Sequence, residues 1–206
     1  MKVPYYSQFE SRERVLDLIS GKMNAEDDPL WQLSGAADPQ EYARWSSHIC
    51  GMACLKMLLA HEQGRVIPTL ALMRPCREYG GYVVEEDGSI KGLIYRPFVT
   101  YINEQFGLLA EVKEQTPIEE IYDQLDQGYV YIASVHPAIR TPEVTPPRLG
   151  GHLVYVFGKN SERRELIFHN PSGHTAATQE NVHLGLDDFS RFYAKRGVLI
   201  ALSDRK

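Results

Sequence analysis

The sequence predicts an α+β fold in which a helical N-terminal part precedes an antiparallel sheet. Helix-start signatures concentrate in the first half of the chain, and runs rich in β-branched and aromatic residues concentrate in the second. That segregation of helices from strands argues against a doubly wound parallel arrangement.

In chain order, a helical pattern covers 11–20. Asp38-Pro39-Gln40-Glu41 then combines a capping side chain, a proline at the first helical position and an acid at the third. Helical periodicity over 50–63 and 97–106 stops before Gly64 and Gly107. A strand is expected at 108–113. Thr116-Pro117-Ile118-Glu119 repeats the capping signature, and Ile118, Ile121, Tyr122 and Leu125 recur at helical spacing until Gly128. Strands follow at Tyr129–Val135, Leu153–Gly158, Glu165–Asn170 and Val198–Leu202, with a helix expected at 187–196, before Gly197. Between the first two strands of that series, segment 136–151 holds Pro137, Pro142, Pro146 and Pro147, which predicts a long surface loop.

At 206 residues, with 43% apolar and 24% charged residues, the chain reads as one domain, 1–206, able to bury a core without disulfides. Its 22 basic and 27 acidic side chains leave a net charge of -5, and no basic run points to nucleic acid or an anionic membrane. No apolar stretch approaches transmembrane length and Met1–Gln8 has no signal core, so a cytoplasmic location is expected. Three cysteines do not suggest a secreted disulfide framework.

Each thiol is therefore judged by its surroundings. Ser46-Ser47-His48-Ile49-Cys50-Gly51 reads as a loop entering a helix whose stripe is Cys54, Met57, Leu58 and His61. Cys50 falls at the helix N-terminus, where free amides and the macrodipole favour a thiolate, a setting suited to a nucleophile. Gly51 would allow close backbone approach. The competing reading of Cys50 is a small buried hydrophobe. Cys54, one turn further on, fits that reading better, and for Cys76, between Arg74-Pro75 and Arg77, a surface redox thiol is the less favoured alternative.

A base for such a nucleophile is suggested by a hairpin. Gly151-His152 opens one strand, a polar turn through 159–164 follows, and the second strand ends at His169-Asn170. A turn centred near Ser161 pairs His152 with Asn170 on one face, where the carboxamide would fix the tautomer and orientation of the ring. A slip of one residue would reverse that geometry. Asn170 also fits a simple turn, Asn170-Pro171-Ser172-Gly173. His48, His136, His169, His174 and His183 have no comparable partner. Metal binding through His48, Cys50, Cys54 and His152 lacks the usual ligand spacing, so no metal or cofactor is expected.

Four segments, Val3-Pro4-Tyr5-Tyr6-Ser7-Gln8, Cys50-Gly51-Met52-Ala53-Cys54, Gly151-His152-Leu153-Val154 and Asn170-Pro171-Ser172-Gly173, occur in an order that resembles the papain-like cysteine peptidases. Within that superfamily the chain is similar to the bacteriocin-leader, or double-glycine, peptidases and their stand-alone bacterial relatives. The resemblance implies a papain-like fold, with the helix of Cys50 packed on the sheet. It also implies a Cys50-His152-Asn170 triad and an oxyanion hole formed by the Cys50 amide and a glutamine. Relatives place that glutamine a few residues before the cysteine. Here position 44 is Arg and the best match, Gln8, lies 42 residues upstream, so segment 9–45 reads as an insertion, with Trp45 or Ser46 as alternative donors. Met52 stands where many relatives carry proline.

The function expected from the sequence is a cysteine-dependent acyl hydrolase, a peptidase or amidase, acting on a peptide, amide or thioester. An amide-forming acyltransferase and an inactive binding module of the same fold are the alternatives. Loop 136–151 precedes His152 directly and is expected on the substrate side.

Overall fold

The computed structural model describes residues 3–203. Eight α-helices and eight strands are found among them. The N-terminal part carries α1 (Val15–Ser20), α2 (Pro39–Ser46), α3 (Cys50–Gln63) and α4 (Thr69–Glu78). A short hairpin of β1 (Val83–Val84) and β2 (Ile90–Lys91) leads to α5 (Tyr95–Phe106). Then follow β3 (Leu109–Glu114), α6 (Ile118–Gln124), β4 (Tyr129–Val135), β5 (His152–Asn160), β6 (Glu165–His169), α7 (Ala176–Gln179), β7 (Val182–Gly185), α8 (Leu186–Ser190) and β8 (Tyr193–Ala201).

The main sheet has the order β3-β8-β4-β5-β6-β7, antiparallel at every pairing. Its central strands are apolar on both faces because both are covered. Val130, Ile132, Leu153, Tyr155, Val198 and Ile200 join the core built on α3, α4 and α5. Their alternates, including Tyr131, Val154, Phe168 and Leu199, pack with Ile118 and Ile121 of α6 and with Phe189 of α8. Helix α3 lies on β5. Its residues 51–59 are all buried, a wider face than the stripe expected from Cys54, Met57 and Leu58.

Local signals explain several boundaries. Asp38 caps α2 by accepting a 2.7 Å hydrogen bond from the Glu41 amide, and the Glu41 carboxylate accepts one from the Ala37 amide at 2.6 Å. Helix α3 spans the expected 50–63, and Gly64 closes it in the left-handed conformation at φ 63°.

Four expectations are corrected. The second capping signature fails: Thr116 turns its hydroxyl to the Glu114 carbonyl, 3.3 Å away, and α6 starts without a side-chain cap. The helix expected over 187–196 stops at Ser190, and β8 begins at Tyr193. Pairing with both β3 and β4 outweighs local helical periodicity there, because it satisfies both edges of the strand. Gly197 is needed in that position: a Cβ would collide with the Ile132 carbonyl and the Tyr131 ring. Cys76 is no surface thiol. It lies in α4, fully buried, and burial pushes its pKa up to about 12.

The fourth correction concerns the hairpin register. Tyr155 faces His169 and Val156 faces Phe168, two residues from the expected pairing, with a bulge between Val156 and Gly158. Four residues, 161–164, form the turn, and Arg164 takes a left-handed conformation at φ 52°. The displacement at the open end is even, so Asn170 keeps the side of the ribbon that His152 occupies. It sits diagonal to His152 instead of opposite it, within reach of a carboxamide.

Segment 9–45 wraps around a buried carboxylate. Asp28 accepts from the Ser11 hydroxyl at 2.5 Å, the Ser11 amide at 3.2 Å, the Leu30 amide at 3.0 Å and the Tyr42 hydroxyl at 2.6 Å. Tyr42 in turn accepts from the Glu10 amide at 3.0 Å, which ties the segment to the residues beside Gln8.

Candidate active site

Cys50 opens α3, half-buried, at one end of a cleft of about 350 Å³ that it shares with His152, Leu153, Leu93, Tyr95 and Arg196. The backbone amides of Leu153, next in sequence to His152, and of Gly51 and Cys50 itself favour the charged form of the sulfur. The missing side chain of Gly51 is used for packing. A Cβ there would fall 2.7 Å from Leu93 and 3.1 Å from Leu153, so glycine lets the wall of the cleft close onto the helix start.

His152 is buried at the start of β5, and its Nε2 lies 2.8 Å from Asn170 Oδ1. The same Oδ1 accepts from the Ser172 amide at 3.1 Å, which fixes it as the oxygen of the carboxamide. An amide oxygen only accepts, so Nε2 carries the proton and Nδ1 carries the lone pair. Ser172 Oγ stands 3.0 Å from Nε2 and accepts from Nε and Nη2 of Arg140 at 3.1 and 2.6 Å. Backbone contacts hold this corner: Asn170 donates to the Gln179 carbonyl at 2.7 Å, and the Gln8 amide donates to the Pro171 carbonyl at 2.7 Å. The Tyr5 hydroxyl reaches the Asn170 carbonyl at 3.2 Å.

Gln8 is buried, and its Nε2 donates to the Ser46 carbonyl at 2.7 Å. Thus the intervening segment loops out and Gln8 comes to rest against the turn that leads into Cys50. Ser46, an alternative donor, directs its hydroxyl to the Ala43 carbonyl at 3.5 Å instead, and Trp45 packs edge-on against Tyr82 in the core.

The resting electrostatics differ from the sequence expectation of a depressed thiol. Burial raises the Cys50 pKa, and the Leu153 and Gly51 amides and the Arg140 cation only partly offset it. Burial also lowers His152 to about 3, helped by Arg140 and opposed by the Asn170 hydrogen bond. The helix start does direct amides at the sulfur, but they are weaker than the loss of solvent. At neutral pH the site therefore holds a thiol and a neutral imidazole.

The other histidines have separate roles. His169 Nε2 donates to the Val3 carbonyl at 3.1 Å and its Nδ1 accepts from the Asn181 amide at 3.0 Å. His136 Nδ1 accepts from the Ala138 amide at 3.1 Å, and His183 pairs with Glu165 at 3.1 Å. His61 meets the Tyr155 hydroxyl at 3.3 Å. Among the described residues no group of His, Cys, Asp or Glu converges to hold a metal ion, and no helix is long and apolar enough to cross a membrane.

Sequence reasoning missed Arg140 and Ser172 as neighbours of the imidazole. Ser172 belongs to the Asn170 turn already singled out, but Arg140 gives no local signal within its proline-rich loop.

His152 and His169 also set an acid limit on stability. Burial lowers His169 to about 4, so below the usual value near 6.5 the unfolded chain binds protons that the folded chain refuses. Stability is therefore full above about pH 6.5 and is lost as pH falls toward the folded values, by up to ~1.4 kcal/mol per pH unit for each histidine. Urea unfolding between pH 7 and 4.5 should show a steeper slope for the wild type than for His169→Gln. Equal slopes would contradict the assignment.

Comparison with solved structures bears on the fold. The peptidase domain of Streptococcus ComA, a bi-functional ABC transporter involved in a quorum-sensing pathway, matches with a TM-score of 0.52 and 16% identity, over 76% of this chain and 93% of that domain. A putative C39-like peptidase from Bacillus anthracis matches with a TM-score of 0.52 and 13% identity, over 77% of this chain and 90% of that one. The chain has the fold of the C39 peptidase domains. At these identities the likeness concerns the fold alone. No protein-family model and no curated protein matches the sequence.

Proposed function

We propose that the chain is a cysteine-dependent acyl hydrolase of the peptidase or amidase type, working through a thioester on Cys50. The observation that carries this reading is the 2.8 Å bond from His152 Nε2 to Asn170 Oδ1, in a cleft shared with a cysteine at the start of α3. It leaves the Nδ1 lone pair of His152 as the base. The C39 fold adds support.

Cys50 Sγ attacks the carbonyl carbon while its proton passes to His152 Nδ1. Because thiol and imidazole both rest neutral, the thiolate forms as the attack proceeds and is not stored beforehand. The oxyanion is met by the Cys50 amide and by the Gln8 Nε2 hydrogen not given to Ser46. The carbon–nitrogen bond then breaks, His152 returns its proton to the leaving amine, and water resolves the thioester. Asn170 keeps the imidazole in the tautomer this sequence needs.

The test is to trap an acyl group on Cys50 from activated peptide esters, locate it by mass spectrometry, and follow its loss in water and with added amines. Water should discharge it, and Gln8→Ala should slow acylation by about 10²–10³-fold. Failure to acylate Cys50 sinks the reading, whereas discharge only by amines would make the chain an amide-forming transferase.

A further inference from the structure

A second cavity, of about 290 Å³, lies on the Gln8 side of the site. Leu18, Ile19, Ala25 and Ala43 give it aliphatic walls, Gln8 and Ser47 add polar groups, and Arg140 is the only charged side chain among its lining residues. The guanidinium is half-buried and anchored through Nε and Nη2 to Ser172 Oγ, at 3.1 and 2.6 Å. Among the described residues no carboxylate pairs with Arg140, whose side-chain hydrogen bonds go to Ser172. With its Nε/Nη2 edge on Ser172, a half-buried arginine without an acidic partner beside apolar walls keeps its terminal Nη1/Nη2 edge for a planar anion.

We propose that this cavity binds a carboxylate of the substrate, held by Arg140, with an aliphatic group beside it on the walls from α1 and α2. The inference rests on the acyl-transfer role given to Cys50, and it narrows the substrate to an acyl amide that carries a carboxylate near the scissile bond. Segment 9–45 then has a task in selection, because it supplies Leu18, Ile19, Ala25 and Ala43. So does loop 136–151, which supplies Arg140. Anchoring by Ser172 keeps the guanidinium in one orientation, which favours a carboxylate over a bulkier or uncharged group.

The test compares two alkylating probes that differ only in charge, N-iodoacetyl-leucine and N-iodoacetyl-leucine amide. Their second-order rates at Cys50 are read by peptide mass spectrometry. The acid should react about 10-fold faster in the wild type, as expected of one charge-assisted contact. Arg140→Gln should reduce the ratio to near one, and Arg140→Lys should keep part of it. Arg140→Lys also serves if the glutamine variant does not fold. Equal rates for both probes in the wild type would overturn the proposal. So would an Arg140→Gln variant that slows both probes equally, since Arg140 would then only support the sulfur. If Cys50 reacts with neither probe faster than Cys54 does, the acyl-transfer reading itself fails and the inference falls with it.

Discussion

Cys50→Ala and His152→Ala are each expected to reduce turnover on the order of 10⁵–10⁶-fold, and the double variant should be scarcely worse than either alone. Groups that act as one unit lose their joint effect when any one is removed. The nucleophile cannot form a thioester without sulfur. The sulfur cannot readily lose its proton without the imidazole, because burial keeps the thiol protonated at neutral pH. Cys50 is half-buried and lines a cleft, so its replacement should leave the melting curve almost unchanged. Steady-state rates on the substrate found by acyl trapping check this, and multiplicative losses in the double variant would contradict a joint mechanism.

Asp28→Ala is expected to be among the most damaging substitutions for stability outside the hydrophobic core. The carboxylate is fully buried and accepts four hydrogen bonds, from Ser11, Leu30 and Tyr42. Its removal strands those donors in a dry setting, at a cost of about 3 kcal/mol or more. The urea midpoint should fall by roughly 1–2 M. Tyr42 also holds the Glu10 amide, so loosening this centre should reach Gln8 and slow acylation in the fraction that remains folded. A midpoint within about 0.3 M of wild type would show that the segment is held by other contacts.

Much of the fold was legible because local chemistry and tertiary environment agree. Asp38 and Glu41 set the start of α2 through contacts within one turn, and Gly64 ends α3 where a left-handed residue is required. Continuous apolar strands such as Tyr129–Val135 announce a sheet covered on both faces. Where the two levels conflict, tertiary pairing decides. The helical periodicity of 187–196 yields to the two ladders that β8 completes. Helix α4 was hidden because Pro75 lies inside it and reads locally as a breaker.

The candidate site was legible in the same uneven way. Cys50, His152 and Asn170 can each be found by residue type and flanking glycines or turns, whereas Gln8 follows only from the family resemblance; the structure sets Asn170 against His152 and Gln8 against Ser46. The pairing register was not readable, since turn length and the bulge after Val156 are fixed only in the folded ribbon. Arg140 was not readable at all. The role proposed for it rests on distant Ser172 and on the absence of an acidic partner among the described residues, neither of which leaves a mark beside it in the chain.

Competitive alkylation of the three cysteines by iodoacetamide at pH 7 to 8, resolved by peptide mapping, tests most directly whether a base-assisted sulfur exists in this cleft. The thiol at the head of α3 should be consumed first, being the least buried of the three, and His152→Ala should slow its labelling by about 10²-fold or more while leaving Cys54 and Cys76 unchanged. Uniform labelling of all three thiols in the wild type, or a Cys50 rate that loss of the imidazole leaves unchanged, would contradict a base-assisted sulfur.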